Sequence, residues 1–152
     1  MTKVDERIGV PRVDVVARGR LVAALDREPV AAAYLFGSQA TGAPGPLSDV
    51  DVAVALTAHS GEATPDVRAD LLAAAIDALG TDEVDLVLLD RAPPLLRHRV
   101  IGDGILLVDR DPRARVRFET RALLDYLDTA PLREVLAAGR RGRLAEGRFG
   151  RR

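Results

Sequence analysis

The chain has 152 residues, a formal net charge of −1 and no cysteine. This length predicts one domain with a real hydrophobic core, and the near-neutral charge gives no overall basic field that would attract nucleic acid. The absence of cysteine excludes disulfides, thiol nucleophiles and cysteine-ligated zinc. His59 and His98 lie too far apart in sequence to complete a zinc site by themselves.

The amino-terminal end carries no targeting signal. Residues 1–7 are mostly polar and lack the apolar segment of a signal peptide, and no apolar run in the sequence is long enough to span a bilayer. We therefore expect a cytoplasmic protein.

Apolar periodicity, together with capping and breaking residues, predicts alternating helices and strands. In chain order we expect a loose lead-in 1–12, helix 13–27, strand 30–36, strand 52–56, helix 65–79, strand 83–89, helix 93–101, strand 105–108 near a sheet edge, helix 112–130 and helix 131–138. The strand, helix, strand order over 52–89 is a crossover that places both strands in one sheet. The sequence thus predicts an α/β fold in which helices pack against a small mixed sheet, with a core 13–110 and a helical carboxy-terminal part 111–152.

The carboxy-terminal part contains an amphipathic helix and an arginine-rich tail. In the helix after Asp111, four residues recur at helical spacing and predict its apolar side: Val116, Thr120, Leu123 and Leu127. The tail 140–152 carries six arginines interleaved with glycine. Such a tail is typical of a solvated end, and docking on an acidic partner or on RNA remains an alternative.

The chemistry of the sequence is concentrated around two aspartates. Asp49 and Asp51 stand where the second strand starts, and residues two apart in a strand share a face. Two carboxylates about 4 Å apart repel by roughly 1 kcal/mol in water and about 4 kcal/mol in a partly buried site, so such a pair favours a cation. Oxygen donors without sulfur suit Mg²⁺, which also takes substrate phosphates as ligands.

A second group of residues, at the end of the first strand, favours a phosphate. Gly37 allows a ligand to approach the backbone closely, and Ser38 supplies a hydroxyl where a helical turn is expected to begin. Gly37 and Gly42 have the separation of P-loop glycines, but Ala43 and Pro44 stand where that motif requires lysine and serine or threonine. A P-loop is therefore excluded.

The chain contains Gly37-Ser38, then ten residues, then Asp49-x-Asp51, with an apolar strand on each side. This pattern resembles the signature of the polymerase-beta-type nucleotidyltransferases. Within them, the chain is similar to the minimal nucleotidyltransferases that act as antitoxins beside HEPN-domain toxins. The resemblance covers residues 30–108 and implies a single polymerase-beta-like domain. It also implies a third acid, for which Asp85 stands at the expected place, although Glu83 on the same face of the strand competes for the role. Many relatives carry arginine where this chain has Thr41.

The resemblance further implies an activity. Asp49, Asp51 and Asp85 would hold two Mg²⁺ ions, and Gly37 and Ser38 would bind the phosphates of ATP. For Gln39 and Thr41, a nucleotide contact and a simple turn are equally supported. AMP would then pass to a tyrosine hydroxyl of a neighbouring HEPN ribonuclease toxin, which agrees with the absence of a second domain for the acceptor. Transfer to a small molecule such as an aminoglycoside, and a non-catalytic module that neutralises the toxin by binding, remain alternatives.

Overall fold

The structure is a computed structural model that describes residues 13–42, 49–57 and 64–145. These residues form helices α1 (Val15–Leu25), α2 (Ser38–Thr41), α3 (Pro65–Leu79), α4 (Pro94–Asp103), α5 (Pro112–Asp128) and α6 (Ala130–Ala145), and strands β1 (Val30–Phe36), β2 (Val50–Leu56), β3 (Val84–Leu88) and β4 (Ile105–Asp109). The predicted lead-in 1–12 and the end of the arginine-rich tail lie outside the described residues. In the part of the chain that the structure describes, no helix combines the length and apolarity needed to cross a membrane.

The four strands form one mixed sheet in the order β3-β2-β1-β4. Strand β1 is antiparallel to both β2 and β4, whereas β2 and β3 are parallel neighbours joined by α3. Helix α3 begins where Thr64 caps the amide of Val67 and ends at Gly80, which has a left-handed backbone. The predicted α/β class, the crossover and the edge position of the last strand are confirmed.

Helices α1 and α3 cover one face of the sheet. Leu21 and Leu25 of α1 and Leu71 of α3 are fully or almost fully buried there. From the sheet, alternate strand residues join this core: Val50, Val52, Val54, Leu35, Leu86 and Leu88. In β2 the buried valines occupy the even-numbered positions. The odd-numbered positions, which include Asp51, therefore belong to the other face.

The other face of the sheet carries small residues and Tyr34, and α4 and α5 pack against it. The Tyr34 hydroxyl donates a hydrogen bond to Glu119 Oε1 of α5 at 2.8 Å. Arg115 bridges the same carboxylate to Asp109 of β4, with Nε 2.9 Å from Asp109 Oδ1. Burial, followed by the hydrogen bond to Glu119, raises the pKa of Tyr34, so its hydroxyl stays protonated and keeps donating.

We expect Tyr34→Phe to lower the free energy of unfolding by about 1 to 2 kcal/mol, because it removes a hydrogen bond to a charged group at a buried position. Urea denaturation measures this change. Tyr126→Phe is the matched control, since the Tyr126 ring stacks on His98 with centroids 3.8 Å apart and phenylalanine retains that stack. Equal stability of the two variants would contradict a structural role for the Tyr34 hydroxyl.

The apolar side predicted for α5 faces away from the core. Val116, Leu123 and Leu127 are 52%, 47% and 55% exposed. The inward side is instead built by Ala114, Phe118 and Ala122, at spacings of four residues, because only small side chains and one partly buried ring fit against the sheet and α4. Two helix bounds also differ: α1 is shorter than 13–27, and α6 continues well past residue 138.

Candidate active site

Asp51 lies near the beginning of β2 and has a paired residue in the strand on each side. Asp51 lies opposite Phe36 in β1 and opposite Asp85 in β3. Asp51 and Asp85 are paired across neighbouring strands, which lie about 4.8 Å apart. Paired residues project from the same face of the sheet, so these two side chains are neighbours on one face. Asp49 precedes β2 by one residue and is exposed. The two acids of Asp-x-Asp and the acid predicted on the later strand thus occupy one edge region of the sheet.

Gly37 touches the Asp51 carboxylate. A Cβ atom added at Gly37 would lie 2.2 Å from Asp51 Oδ2, and the backbone of Gly37 has φ 69° and ψ −152°. This backbone region is accessible essentially to glycine alone. No other residue fits at position 37 unless the carboxylate moves, so the glycine turn and the acidic pair form one continuous surface.

The turn after Gly37 is a short helix, as the sequence predicts. The amides of Ala40 and Thr41 both donate to the Gly37 carbonyl at 3.2 Å, and the Thr41 hydroxyl donates to the Ser38 carbonyl at 3.3 Å. The first amides of a helix lack partners within it, so Ser38 and Gln39 present N–H groups at the start of this turn. Binding of phosphate by Gly37 and Ser38 remains a prediction.

Gln39 is buried, unlike its neighbours in the turn. Its side chain is only 9% exposed, and Oε1 accepts a hydrogen bond from the Val13 amide at 3.3 Å, near the start of α1. The side chain thus anchors the turn to α1. The nucleotide contacts assigned to Gln39 and Thr41 from the sequence remain predictions.

Like charges converge on Asp51. Burial, then the charge of Asp85, then that of Asp49 raise the pKa of the Asp51 carboxyl above its ordinary value. The fold therefore holds Asp51 in a position where its ionised form is disfavoured unless a positive charge is nearby. This is the electrostatic arrangement expected of carboxylates that share a cation.

Asp85 already has a cationic neighbour. Arg68 of α3 places Nη2 3.2 Å from Asp85 Oδ1 and donates from Nε to the Leu86 carbonyl at 2.7 Å. Over residues 13–42, 49–57 and 64–145, no group of three or more acidic or histidine side chains is gathered closely enough to hold a metal ion. Among these residues the expected convergence of three acids on one ion is therefore not seen, and Asp85 pairs with Arg68 instead.

No sequence pattern indicates that Arg68 lies beside Asp85. It lies 17 residues before Asp85 and outside every recognisable motif. Only the β2-α3-β3 crossover, which lays the first turns of α3 along the edge of β3, brings the two side chains together.

The sequence profile of the polymerase beta nucleotidyltransferases matches residues 20–113, well over half of the chain. The chain belongs to this family. It is accordingly a nucleotidyltransferase, and the family match includes the glycine turn, the Asp-x-Asp pair and Asp85. None of the curated proteins matches the chain significantly.

Several solved structures share the fold of this chain. A chain in a crystal structure of a toxin-antitoxin with AMP-PNP has a TM-score of 0.65 and 24% identity over 80% of this chain and 96% of that chain. A chain in the toxin-antitoxin MntA-HepT has a TM-score of 0.64 and 22% identity, covering 83% and 97%. A chain in a structure of the tri-AMPylated Shewanella oneidensis HEPN toxin in complex with MNT antitoxin has a TM-score of 0.62 and 22% identity, over 81% of this chain and 94% of that chain.

The donor set of this nucleotidyltransferase fits a hard divalent cation. Asp49 and Asp51 supply carboxylate oxygens only, and the pKa of Asp51 is raised by burial and then by the charges of Asp85 and Asp49, which a cation would balance. Mg²⁺ commonly uses one or two carboxylates and completes its shell with water and substrate phosphates. Asp85 would be a further ligand only if its ion pair with Arg68 opened.

We expect Arg68→Gln to bind Mn²⁺, used as a probe without nucleotide, about two- to fivefold more tightly than the unmodified chain, on the scale of an exposed ion pair. Removal of the guanidinium leaves Asp85 free for the metal. Isothermal titration calorimetry measures the affinity, and Arg20→Gln on α1 is the control because α1 covers the opposite face. Unchanged affinity in Arg68→Gln would show that Arg68 does not compete with the metal.

Proposed function

We propose that this chain is a cytoplasmic antitoxin that transfers AMP from ATP to a tyrosine hydroxyl of a HEPN ribonuclease toxin encoded next to it. The contact between Gly37 and the Asp51 carboxylate carries the proposal, because it joins a phosphate-binding turn directly to a cation-binding pair. The likeness to chains in toxin-antitoxin structures, one with AMP-PNP and one with a tri-AMPylated toxin, supports the choice of donor and acceptor.

The residues have distinct roles in this reaction. Asp49, Asp51 and Asp85 would hold two Mg²⁺ ions, which when bound neutralise charge on the triphosphate and lower the pKa of the attacking hydroxyl. The Gly37 turn and the Ser38 hydroxyl hold the β- and γ-phosphates by backbone and side-chain hydrogen bonds. This fixes the α-phosphorus beside the acids, so that attack and departure are in line.

The bond changes balance without a covalent enzyme intermediate. The phenolic oxygen forms a bond to the α-phosphorus, and the bond from that phosphorus to the oxygen bridging to the β-phosphate breaks. Pyrophosphate leaves with the bonding electrons, and Asp85 accepts the phenolic proton as general base. The absence of cysteine is consistent with this direct displacement.

The test is to incubate the chain with ATP, Mg²⁺ and the purified product of the neighbouring gene, and to weigh that product by mass spectrometry. The proposal expects added mass of one or more AMP units, located on tyrosine by peptide fragmentation. It also expects no added mass with the Asp49→Ala, Asp51→Ala double variant. An unmodified partner in the presence of the unmodified chain would overturn the proposal.

A non-catalytic neutralising module is the second candidate, favoured by two observations. Asp85 is paired with Arg68, and Thr41, whose hydroxyl donates to the Ser38 carbonyl, occupies the place of the arginine found in many relatives. Toxin expression in cells separates the two functions. Under the catalytic proposal the double variant loses protection, whereas a module that acts by binding alone would still protect.

A further inference from the structure

An apolar row runs along the outer side of α5, opposite the side that packs against the sheet and α4. It consists of Val116, Thr120, Leu123 and Leu127, and its three aliphatic side chains are about half exposed. None of these residues belongs to either core cluster of the described chain. Because apolar patches of this kind mark interaction sites on soluble proteins, the row indicates a surface that another molecule covers.

The spacing of the row suits another helix. Its residues recur at intervals of four, three and four, which is the pattern by which two helices pack along their length. Helix α5 has 17 residues and is therefore about 25 Å long at 1.5 Å per residue. One helix pair of this length lies at the small end of specific protein interfaces, so we expect association through it to be weak and reversible.

Two opposite charges border the row on one flank of α5. Arg117 and Asp128 are eleven residues apart, which is about three turns, so they lie on the same side of the helix. Both side chains are exposed. Among the described residues, the ion pairs made by α5 include neither of them. The flank thus carries a positive charge near one end of the row and a negative charge at the other.

An antiparallel second copy of α5 matches the apolar row in a single register. In a pair related by a two-fold axis, contact of one residue with another implies the reciprocal contact. When Val116 lies opposite Leu127 of the second copy, Thr120 lies opposite Leu123 of that copy, because both pairs share one midpoint of the helix. The whole row is then covered by its own counterpart.

The flanking charges fit the same register. The midpoint between Arg117 and Asp128 differs by only one residue from the midpoint of the apolar row. Each arginine therefore faces the aspartate of the second copy, and the two-fold axis repeats the pair. A partner of different sequence would not explain why opposite charges on this helix are placed symmetrically about its apolar row, so the charge pattern favours a second copy.

Helix α6 also exposes apolar residues, but its charges disfavour pairing with its own counterpart. Its apolar residues are Leu132, Val135 and Leu136. Its last turns carry three exposed arginines: Arg140, Arg141 and Arg143. Like charges of this density would repel across an interface made by two copies of α6, so the self-complementary surface is that of α5.

We propose that this chain forms a homodimer through antiparallel packing of the outer sides of α5. Leu123 lies near the two-fold axis, and a pair of Arg117 with Asp128 of the second copy closes each end of the apolar contact. The inference does not rest on the proposed function, because no residue of the apolar row is assigned to the candidate active site.

The first test places a charge at the centre of the apolar row. Sedimentation equilibrium of the full chain should give a monomer–dimer equilibrium with a dissociation constant on the order of 10 to 100 μM. Leu123→Lys should weaken it at least about tenfold, because the substitution is repeated in both copies beside the axis. Leu95→Lys on α4 is the matched control, since Leu95 is 48% exposed and lies on a different helix, and it should leave the equilibrium unchanged.

The second test exchanges the flanking charges. Arg117→Asp and Asp128→Arg, each measured alone, should weaken the dimer about three- to tenfold at low salt, because each places like charges opposite one another, and the loss should shrink as salt rises. An equal mixture of the two variants should associate as well as the unmodified chain, since every carboxylate of one variant then faces a guanidinium of the other. Labelling one variant with a fluorophore makes the mixed dimer measurable.

Three results would each overturn the homodimer: an unmodified chain that stays monomeric up to about 300 μM, well above the expected constant, a dimer that folded Leu123→Lys leaves intact, or mixed charge variants that associate no better than each alone. If the unmodified chain is monomeric and Leu123→Lys abolishes its binding to the product of the neighbouring gene, the surface belongs to that protein, and the homodimer is likewise overturned. Thermal melting checks that every variant folds. A chain that dimerises but transfers no AMP would contradict the proposed function alone.

Discussion

Asp51→Asn is expected to reduce AMP transfer by about a thousandfold or more. The carboxylate of Asp51 lies against Gly37 and beside Asp85, so it is the acid that links the proposed phosphate-binding turn to the rest of the proposed site. Under the proposed function, Asp51 would hold a metal ion that neutralises triphosphate charge, so its loss would remove several kcal/mol of transition-state stabilisation, and about 1.4 kcal/mol corresponds to tenfold in rate. Initial rates of AMP transfer to the partner measure the effect.

The same variant should not unfold the protein. The Asp51 carboxylate is partly buried among like charges, and asparagine retains its shape without the repulsion. We therefore expect the melting temperature of Asp51→Asn without metal to equal or exceed that of the unmodified chain. Asp77→Asn, at an exposed position of α3, is the matched control and should retain full activity. Activity within tenfold of normal in Asp51→Asn would contradict the assigned role.

Gly37→Ala is expected to impair the site more than the fold. The added methyl group would lie 2.2 Å from Asp51 Oδ2, so the carboxylate must rotate away from the position it holds beside the turn. The backbone conformation, with φ 69° and ψ −152°, costs an alanine about 1 to 3 kcal/mol. We expect AMP transfer to fall about 100-fold or more, because a displacement near 1 Å at a reacting centre has an effect of that size.

Gly19→Ala provides the control for this glycine. Gly19 lies inside α1 with no atom within 4 Å of an added Cβ, so alanine should stabilise the helix by about 0.5 to 1 kcal/mol and leave transfer unchanged. Urea denaturation and transfer rates are measured for both variants. Normal activity in a folded Gly37→Ala protein would show that close contact between the turn and the carboxylate is not required.

The parts of the site that follow local rules were predictable from the sequence. The bounds of β1 are as expected, because an uninterrupted apolar run ends at a glycine that the turn requires. The shared face of Asp51 and Asp85 follows from strand alternation and from a crossover that makes β2 and β3 parallel neighbours. These features depend on residues close in sequence and on one general rule of chain connection.

The features that the sequence did not reveal depend on packing between distant segments. The Arg68–Asp85 pair exists because α3 crosses the edge of β3, and the burial of Gln39 exists because its amide reaches the start of α1. The inward side of α5 is formed by Ala114, Phe118 and Ala122, since the alanine-rich face of the sheet and α4 leave room for small residues. Periodicity alone pointed to the larger apolar residues of α5, which face outward.

The most direct measurement is a calorimetric titration of the chain with a non-hydrolysable ATP analogue, with and without Mg²⁺. The account predicts binding that requires Mg²⁺ and that weakens at least about tenfold in the Asp49→Ala, Asp51→Ala double variant, because the acids and the Gly37 turn hold the metal and the phosphates together. Binding that is indifferent to Mg²⁺, or that persists undiminished in the double variant, would contradict it.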